Sequence, residues 1–174
     1  LTGFAGVFVN YTRTPDARYP QAINEIYAAT KWVAEHGDEI EVDGTNLAVV
    51  GNSVGGDMTA VTALKAKEKG GPNIKVHIMM WPVTDANFER ESYAQFGEKR
   101  FLTTPLIKWM WDLYTTDPNE RKQIYASPLQ ATVDQLKGLR LWNVDPGKLT
   151  TSLVKDLFLT TSFVFTFRAG TRPE

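Results

Sequence analysis

Cysteine is absent from the 174-residue sequence, and histidine occurs only twice. Without cysteine the chain can form no disulfide framework, no thiolate zinc site and no thiol nucleophile. The 19 basic and 20 acidic residues nearly balance, so electrostatics give no reason to expect a nucleic acid or an anionic membrane surface as partner. No apolar run approaches the roughly 18 residues of a membrane-spanning helix. The lack of cysteine is compatible with the cytoplasm, where we expect the protein to act.

Short apolar runs alternate with helical patterns over the first 82 residues. Apolar runs predict strands at Phe4–Asn10, Leu47–Val50 and Val76–Trp81. Apolar residues spaced by three and four, followed by Gly37, predict a helix at Gln21–His36. A second helix is predicted from about Val54 to Lys69, where Gly70 and Gly71 end it. This alternating order predicts right-handed βαβ crossovers, and therefore an α/β fold with a mainly parallel sheet and helices on both faces.

The second half of the chain carries fewer regular patterns. Pro82–Arg100 is polar and predicts an irregular loop, whereas Pro105–Tyr114 predicts a helix capped by Thr103 or Thr104. The run Phe158–Phe167 has no charge and high β-propensity, which predicts a buried strand that would be an aggregation hazard if exposed. The length fits one domain over residues 1–174.

The most informative motif is G-x-S-x-G at 51–55, placed between a predicted strand and a predicted helix. In this pattern a sharp turn lifts the hydroxyl of Ser53 to the top of the sheet, and the backbone N–H of Val54 can point at a developing oxyanion. The alternative is a βα turn without chemistry, but the flanking elements and the extra Gly56 favour the nucleophile. Neither the spacing of a P-loop nor that of a dinucleotide-binding fingerprint is present.

The region from about Val7 to Leu139 resembles the hormone-sensitive-lipase-like branch of the α/β-hydrolase family. The resemblance rests on FVNY at 8–11, GNSVGG at 51–56, WPVTD at 81–85 and SPL at 127–129, which follow one another in the family's order. The family's nucleophile motif more often has Asp and Ala where Asn52 and Val54 stand. Residues 1–139 would form a family-like core and 140–174 a divergent tail.

The resemblance implies a carboxylic ester hydrolase, an esterase or lipase, that acts on small ester substrates without a metal or cofactor. Ser53 would attack the acyl carbonyl and form an acyl-enzyme, with Val54 as an oxyanion donor. Asn52, Gly55 and Trp81 would contact the substrate.

Two interpretations are open for three aromatic residues, Phe101, Trp109 and Trp111. They would line an acyl pocket if the resemblance extends that far. Aromatic residues at helical spacing are more often ordinary core, and we favour that interpretation.

The acid and base of a triad are not evident. The family's order is Ser, then Asp or Glu, then His, yet the histidines are His36, at a helix end, and His77, within a strand. Asp145 falls where the family's acid would sit, although Asn-Val-Asp-Pro-Gly at 143–147 also predicts a turn. A serine without a base is a poor nucleophile at neutral pH.

Two explanations account for the missing partners. The first is a truncated chain whose C-terminal segment was altered, for instance by a reading-frame shift near 138–140. Since the chain opens on Leu1, we also expect a missing upstream segment that carries the glycine-rich loop of the oxyanion hole. The second is a catalytically inactive hydrolase-fold protein. Another serine hydrolase, such as a peptidase or thioesterase, is a third possibility, against which the WPVTD motif argues. Oligomeric state is not indicated.

Overall fold

A computed structural model describes residues 4–144 and 162–168. The described strands form one sheet in the order β1-β5-β2-β3-β4. They are β1 (Phe4–Phe8), β2 (Val42–Asn52), β3 (Ile74–Met80), β4 (Leu141–Val144) and β5 (Ser162–Arg168). β2, β3 and β4 are parallel neighbours, whereas β5 runs antiparallel to both β1 and β2. The predicted α/β fold with a mainly parallel sheet is confirmed.

The two long predicted helices have the bounds expected from the sequence. The described α-helices are α1 (Gln21–His36), α2 (Val54–Lys69), α3 (Glu91–Phe96), α4 (Thr104–Tyr114), α5 (Pro118–Arg121) and α6 (Val133–Leu136), and 3-10 turns lie at Gly37–Ile40 and Pro128–Gln130. α2 ends where Gly70 adopts a left-handed conformation at φ 74°. α4 begins at the predicted cap, because the Thr103 hydroxyl accepts a hydrogen bond from the N–H of Leu106. None of the helices in the described ranges is long and apolar enough to cross a membrane.

α2 lies at the centre of the packing, and its residues from Gly55 to Ala66 are buried. It contacts α1, β2 and β3, and α1 also packs on β2, so both helices lie on the same face of the sheet. One apolar cluster joins α1, α2 and α4 through side chains such as Ile26, Val61 and Trp111. On the other face of β1, Phe4 and Phe8 are nearly half exposed. The core is therefore concentrated beneath the helix that begins at Ser53.

Several element bounds differ from the sequence prediction. β2 begins at Val42 rather than Leu47. The prediction was too short because this first part of the strand is polar, with the Asp43 carboxylate accepting hydrogen bonds from Thr45 and Asn46. The predicted loop at 82–100 contains the short helix α3. β5 covers the later part of the run predicted as a strand at 158–167, and residues 158–161 lie outside the described part of the chain.

Candidate active site

Ser53 occupies the sharp turn that joins β2 to α2. Its backbone has φ 53° and ψ −120°, a conformation that a non-glycine residue adopts only at a cost in energy. The surrounding structure holds it there. The Ser53 N–H donates to the Met80 carbonyl at 2.9 Å, and the Ser53 carbonyl accepts from the N–H groups of Gly56, Asp57 and Val83 at 3.0, 3.2 and 3.4 Å. The turn is thus fastened to the end of β3 and to the start of α2.

Gly51 and Gly56 allow this close approach of strand and helix. A Cβ atom on Gly51 would lie 2.0 Å from the carbonyl oxygen of Gly55, a distance that no folded backbone tolerates. A Cβ on Gly56 would meet the side chain of Pro82 at 3.0 Å. The packing of the turn therefore requires glycine at position 51, whereas a side chain at position 56 would force only a slight shift.

Val54 is the first residue of α2, so its N–H has no acceptor one turn earlier in the helix. Its side chain is 39% exposed, which places this helix end at the surface. A backbone N–H at a helix N-terminus, next to a serine, is the arrangement of an oxyanion donor.

The other predicted site residues lie around the same turn. Asn52 ends β2 opposite Met80, and Trp81 follows Met80 directly, with φ 39°. Gly55 is buried in the first turn of α2. The Oδ1 atom of Asn52 is buried and has no hydrogen-bond partner within the described part of the chain. The structure therefore brings together Asn52, Ser53 and Trp81 at the carboxyl ends of two adjacent parallel strands, the edge where open α/β sheets bind ligands.

Neither histidine belongs to this turn. His36 lies at the end of α1, where its Nδ1 is 2.9 Å from a carboxylate oxygen of Glu39. His77 lies in β3, three residues before Met80 and therefore about 10 Å along the strand from the bond that holds Ser53. It is 3% exposed, both ring nitrogens lack a partner in the described structure, and burial lowers its pKa from 6.5 to about 4. The neutral His77 ring is a core residue.

Asp57, which the sequence argument did not single out, is a buried acid one turn after Ser53. It is 4% exposed, and its Oδ1 has no partner among the described residues. Burial raises the pKa of this carboxyl well above 3.8. Burial raises the pKa of Tyr19 to about 12, with smaller contributions from Glu120 and Asp57. Burial also raises the pKa of Tyr114, again with a smaller contribution from Asp57. The sequence signal for this buried acid was an aspartate among otherwise apolar and small residues in the first half of α2.

The loop after β3 ties two of the recognised motifs together. Asp85 is buried and accepts hydrogen bonds from Arg90 and from Gln130. Ser127 is fully buried, and its hydroxyl accepts from the N–H of Ala86 at 3.3 Å. The WPVTD and SPL segments therefore pack against each other behind the turn that carries Ser53.

The aromatic residues do not form one pocket wall. Trp111 is buried in the core cluster, which confirms the interpretation that we favoured for it. For Phe101 and Trp109 the core interpretation is wrong, because they are 94% and 55% exposed. Asp145, the predicted acid, lies outside the described residues, and no group of three potential metal ligands occurs in the part of the chain that the structure describes.

Comparison with known proteins places these features in a family. The sequence model of a family with the alpha/beta hydrolase fold matches residues 2–144. The chain belongs to the α/β-hydrolase family. The matching model is that of the hormone-sensitive-lipase-like branch, which the motifs indicated.

Individual α/β-hydrolase relatives support the assignment. The chain is 35% identical over 127 residues to a putative alpha/beta hydrolase of Acanthamoeba polyphaga mimivirus, covering 72% of this chain and 36% of the relative. It is 32% identical over 134 residues to an ethyl acetate hydrolase of Pseudomonas putida, covering 75% and 42%. The crystal structure of a thermostable esterase from Pseudomonas putida ECU1011 is 60% identical, with a TM-score of 0.75 over 76% of this chain and 42% of that one. The chain thus spans less than half the length of these relatives.

Proposed function

We propose that this chain carries the nucleophile of a serine carboxylesterase, with Ser53 as the attacking residue. The observation that carries the proposal is the strained Ser53 backbone, φ 53° and ψ −120°, held between β2 and α2 in a chain of this family. The surroundings maintain the strain through four backbone hydrogen bonds. Strain that the structure maintains at a partly exposed turn is typical of a functional position.

The proposed reaction proceeds in two steps. The Oγ atom of Ser53 adds to the ester carbonyl carbon, its proton passes to a base, and the alcohol leaves with a proton as the acyl-enzyme forms. Water then attacks the acyl carbonyl and releases the acid. In both steps the N–H of Val54 donates to the carbonyl oxygen as it becomes negative.

Trp81 is proposed to contact the substrate, together with Asn52 and Gly55. An esterase called rPPE, 59% identical to this chain, has been solved as a variant in which a serine and a tryptophan are replaced. Those two positions are separated along that chain by the same number of residues as Ser53 and Trp81 here. Trp81 also follows the residue that anchors the Ser53 N–H, so its backbone is fixed beside the nucleophile.

Asp145 is proposed as the acid of the site on its position in sequence. It follows Val144, the last residue of β4, whose register partner in β3 is Met80. Because the Met80 carbonyl also holds the Ser53 N–H, β4 ends at the same edge of the sheet as the nucleophile.

The proposed substrates are small esters with a short or medium acyl group. The names of the relatives support this class, since one hydrolyses ethyl acetate and others are called esterases. Lipase activity and a cytoplasmic location remain predictions, and the lack of cysteine is compatible with the second.

The positions of the two histidines favour a second candidate, a hydrolase-fold chain that does not turn over esters by itself. The sequence has no histidine besides His36 and His77, and the structure places both away from Ser53. Removal of the triad base leaves only a residual rate in a serine hydrolase.

Hydrolysis of p-nitrophenyl acetate and butyrate, with and without added imidazole, separates the two candidates. The matched control for Ser53→Ala is Ser92→Ala, which changes an exposed serine of α3. A working esterase hydrolyses both esters without imidazole, and only Ser53→Ala abolishes the rate. A chain that lacks a base shows a Ser53-dependent rate only when imidazole is supplied as a free base. If Ser53→Ala and Ser92→Ala match the unchanged protein under both conditions, Ser53 is not a nucleophile.

A further inference from the structure

The part of the chain that matches the family leaves a gap in its sheet. Residues 2–144 contain β1, β2, β3 and β4. β1 and β2 run in the same direction, since each is antiparallel to β5, but they are not neighbours. Two strand spacings, about 9.6 Å, separate them. We call this one-strand space the β1/β2 gap.

β5 fills the β1/β2 gap from outside the family match. It begins after residue 144, and it runs against the direction of all four other strands. Val164 lies opposite Val7 on one side and Val49 on the other. Without β5, both strands would present unpaired N–H and C=O groups towards an empty space in the middle of the sheet, which is costly.

The matched part of this chain covers only 36% and 42% of two family relatives, so they hold segments with no counterpart here. A relative with the same four-strand arrangement has to fill the gap with one of those segments, because an open internal ladder is not stable. The gap is therefore a position defined by β1 and β2, and not by the identity of the strand that enters it.

We propose that the β1/β2 gap is an exchangeable strand-binding site, and that it takes β5 of a second copy of this chain as well as the chain's own β5. Main-chain pairing on both sides supplies the affinity, as in other cases of strand addition. Ser162–Phe167 carries no charge and alternates polar or valine residues with phenylalanine, a composition that suits an internal strand. The only charge within β5 is Arg168 at its end.

The length of the connection allows such an exchange. Residues 145–161 join β4 to β5 and reach at most about 55 Å when extended. Three strand spacings, about 14 Å, lie between β4 and β5. A tether of this length does not restrict β5 to its own sheet.

Cysteine pairs test the position of β5 first, because every crosslink in this cysteine-free chain comes from introduced thiols. On oxidation in dilute solution, Val49→Cys with Val164→Cys and Val7→Cys with Val164→Cys are expected to form intramolecular disulfides, since directly paired residues lie about 5 Å apart. Val7→Cys with Val49→Cys is expected to stay reduced, because two strand spacings exceed the roughly 7 Å limit of a disulfide. Crosslinking of this last pair in place of the others would show that β1 and β2 are neighbours, which overturns the proposal.

Mixing single variants tests exchange. A protein with Val49→Cys and a protein with Val164→Cys are co-incubated and oxidised, and the disulfide-linked heterodimer is quantified by non-reducing electrophoresis and peptide mapping. The control replaces Val49→Cys by Val50→Cys, since adjacent strand residues lie on opposite faces of the sheet. We expect roughly tenfold more heterodimer than in the control, because strand pairing holds the two thiols at an effective concentration of about millimolar. Equal yields in the two mixtures would show that the gap does not accept a second copy's strand.

Discussion

The replacement Gly51→Ala tests the architecture of the nucleophile turn directly. The added Cβ would lie 2.0 Å from the carbonyl oxygen and 2.2 Å from the carbonyl carbon of Gly55. Both atoms belong to the backbone of the first turn of α2, so no side chain can rotate away. Relief requires β2 and α2 to move apart by more than 1 Å, which would also stretch the hydrogen bonds at Ser53.

The expected cost of Gly51→Ala is about 3 kcal/mol, the upper part of the usual range for forced overpacking in a core. Two other glycine replacements calibrate it. Gly56→Ala meets Pro82 at 3.0 Å and should cost about 1 kcal/mol, because the contact is slight. Gly70→Ala meets nothing within 4 Å, but it puts a side chain on a residue with φ 74° and should cost about 1–2 kcal/mol.

Urea unfolding followed by circular dichroism measures these differences, with the slope of the transition used to verify that the unfolded states are alike. In a chain of this size, about 3 kcal/mol corresponds to a decrease of roughly 6–12 °C in Tm. The reasoning is refuted if Gly51→Ala unfolds within about 0.5 kcal/mol of the unchanged protein, the usual effect of an unstrained surface change. It is also refuted if Gly56→Ala proves more costly than Gly51→Ala.

Three further replacements probe buried or strained groups near β3 and α2. Burial lowers the pKa of His77 from 6.5 to about 4, so the unfolded chain binds the proton more readily than the folded chain. The free energy of unfolding should therefore fall by about 3 kcal/mol as pH drops from 6.5 to 4. Urea titrations at several pH values should show that His77→Leu lacks this loss. Burial raises the pKa of Asp57, so the folded chain holds the proton more tightly and stability is lost as pH rises above about 4. Asp57→Asn should therefore match the unchanged protein at pH 3 and be more stable than it at pH 7, and equal stability at both pH values would contradict the shift. Ser53→Gly should raise the free energy of unfolding by about 1 kcal/mol, because glycine adopts φ 53° without strain. Ser53→Ala keeps a Cβ and should give no such gain. Equal urea midpoints for the two variants would argue against strain at Ser53.

The long elements were predictable because their patterns are continuous. In α1 apolar residues recur at spacings of three and four, α2 follows directly on the G-x-S-x-G turn, and both helices end at glycine, so their predicted bounds match the structure. β2 was predicted too short because Asp43 and its polar neighbours interrupt the apolar run, although the chain is already extended there. Short elements such as α3 depend on tertiary contacts, and no local pattern at 91–96 announces them.

The position of Ser53 was predictable since a strained turn demands particular residues on either side. Gly51 lies where a Cβ has no room and Gly56 where a Cβ would be tight, so the motif reflects the geometry of the turn. The burial of Asp57 was not predictable in the same way. An aspartate in the first turn of a helix is ordinarily an exposed partner of the helix dipole, and only the burial of α2 from Gly55 to Ala66 in the fold makes this one a buried acid.

The hydrogen bond from the Ser53 N–H to the Met80 carbonyl has a consequence for any triad built on this chain. It fixes the nucleophile to the carboxyl end of β3, and Met80 is in turn the register partner of Val144 at the end of β4. In parallel strands the carboxyl ends meet at one edge, so β4 ends about one strand spacing from the strand that anchors the serine. His77, within β3, is three residues short of that edge, and the ring of a strand residue cannot travel that distance along the backbone. A base for Ser53 therefore has to come from a loop at the carboxyl edge, or from another molecule, and supplying imidazole in solution imitates that second source.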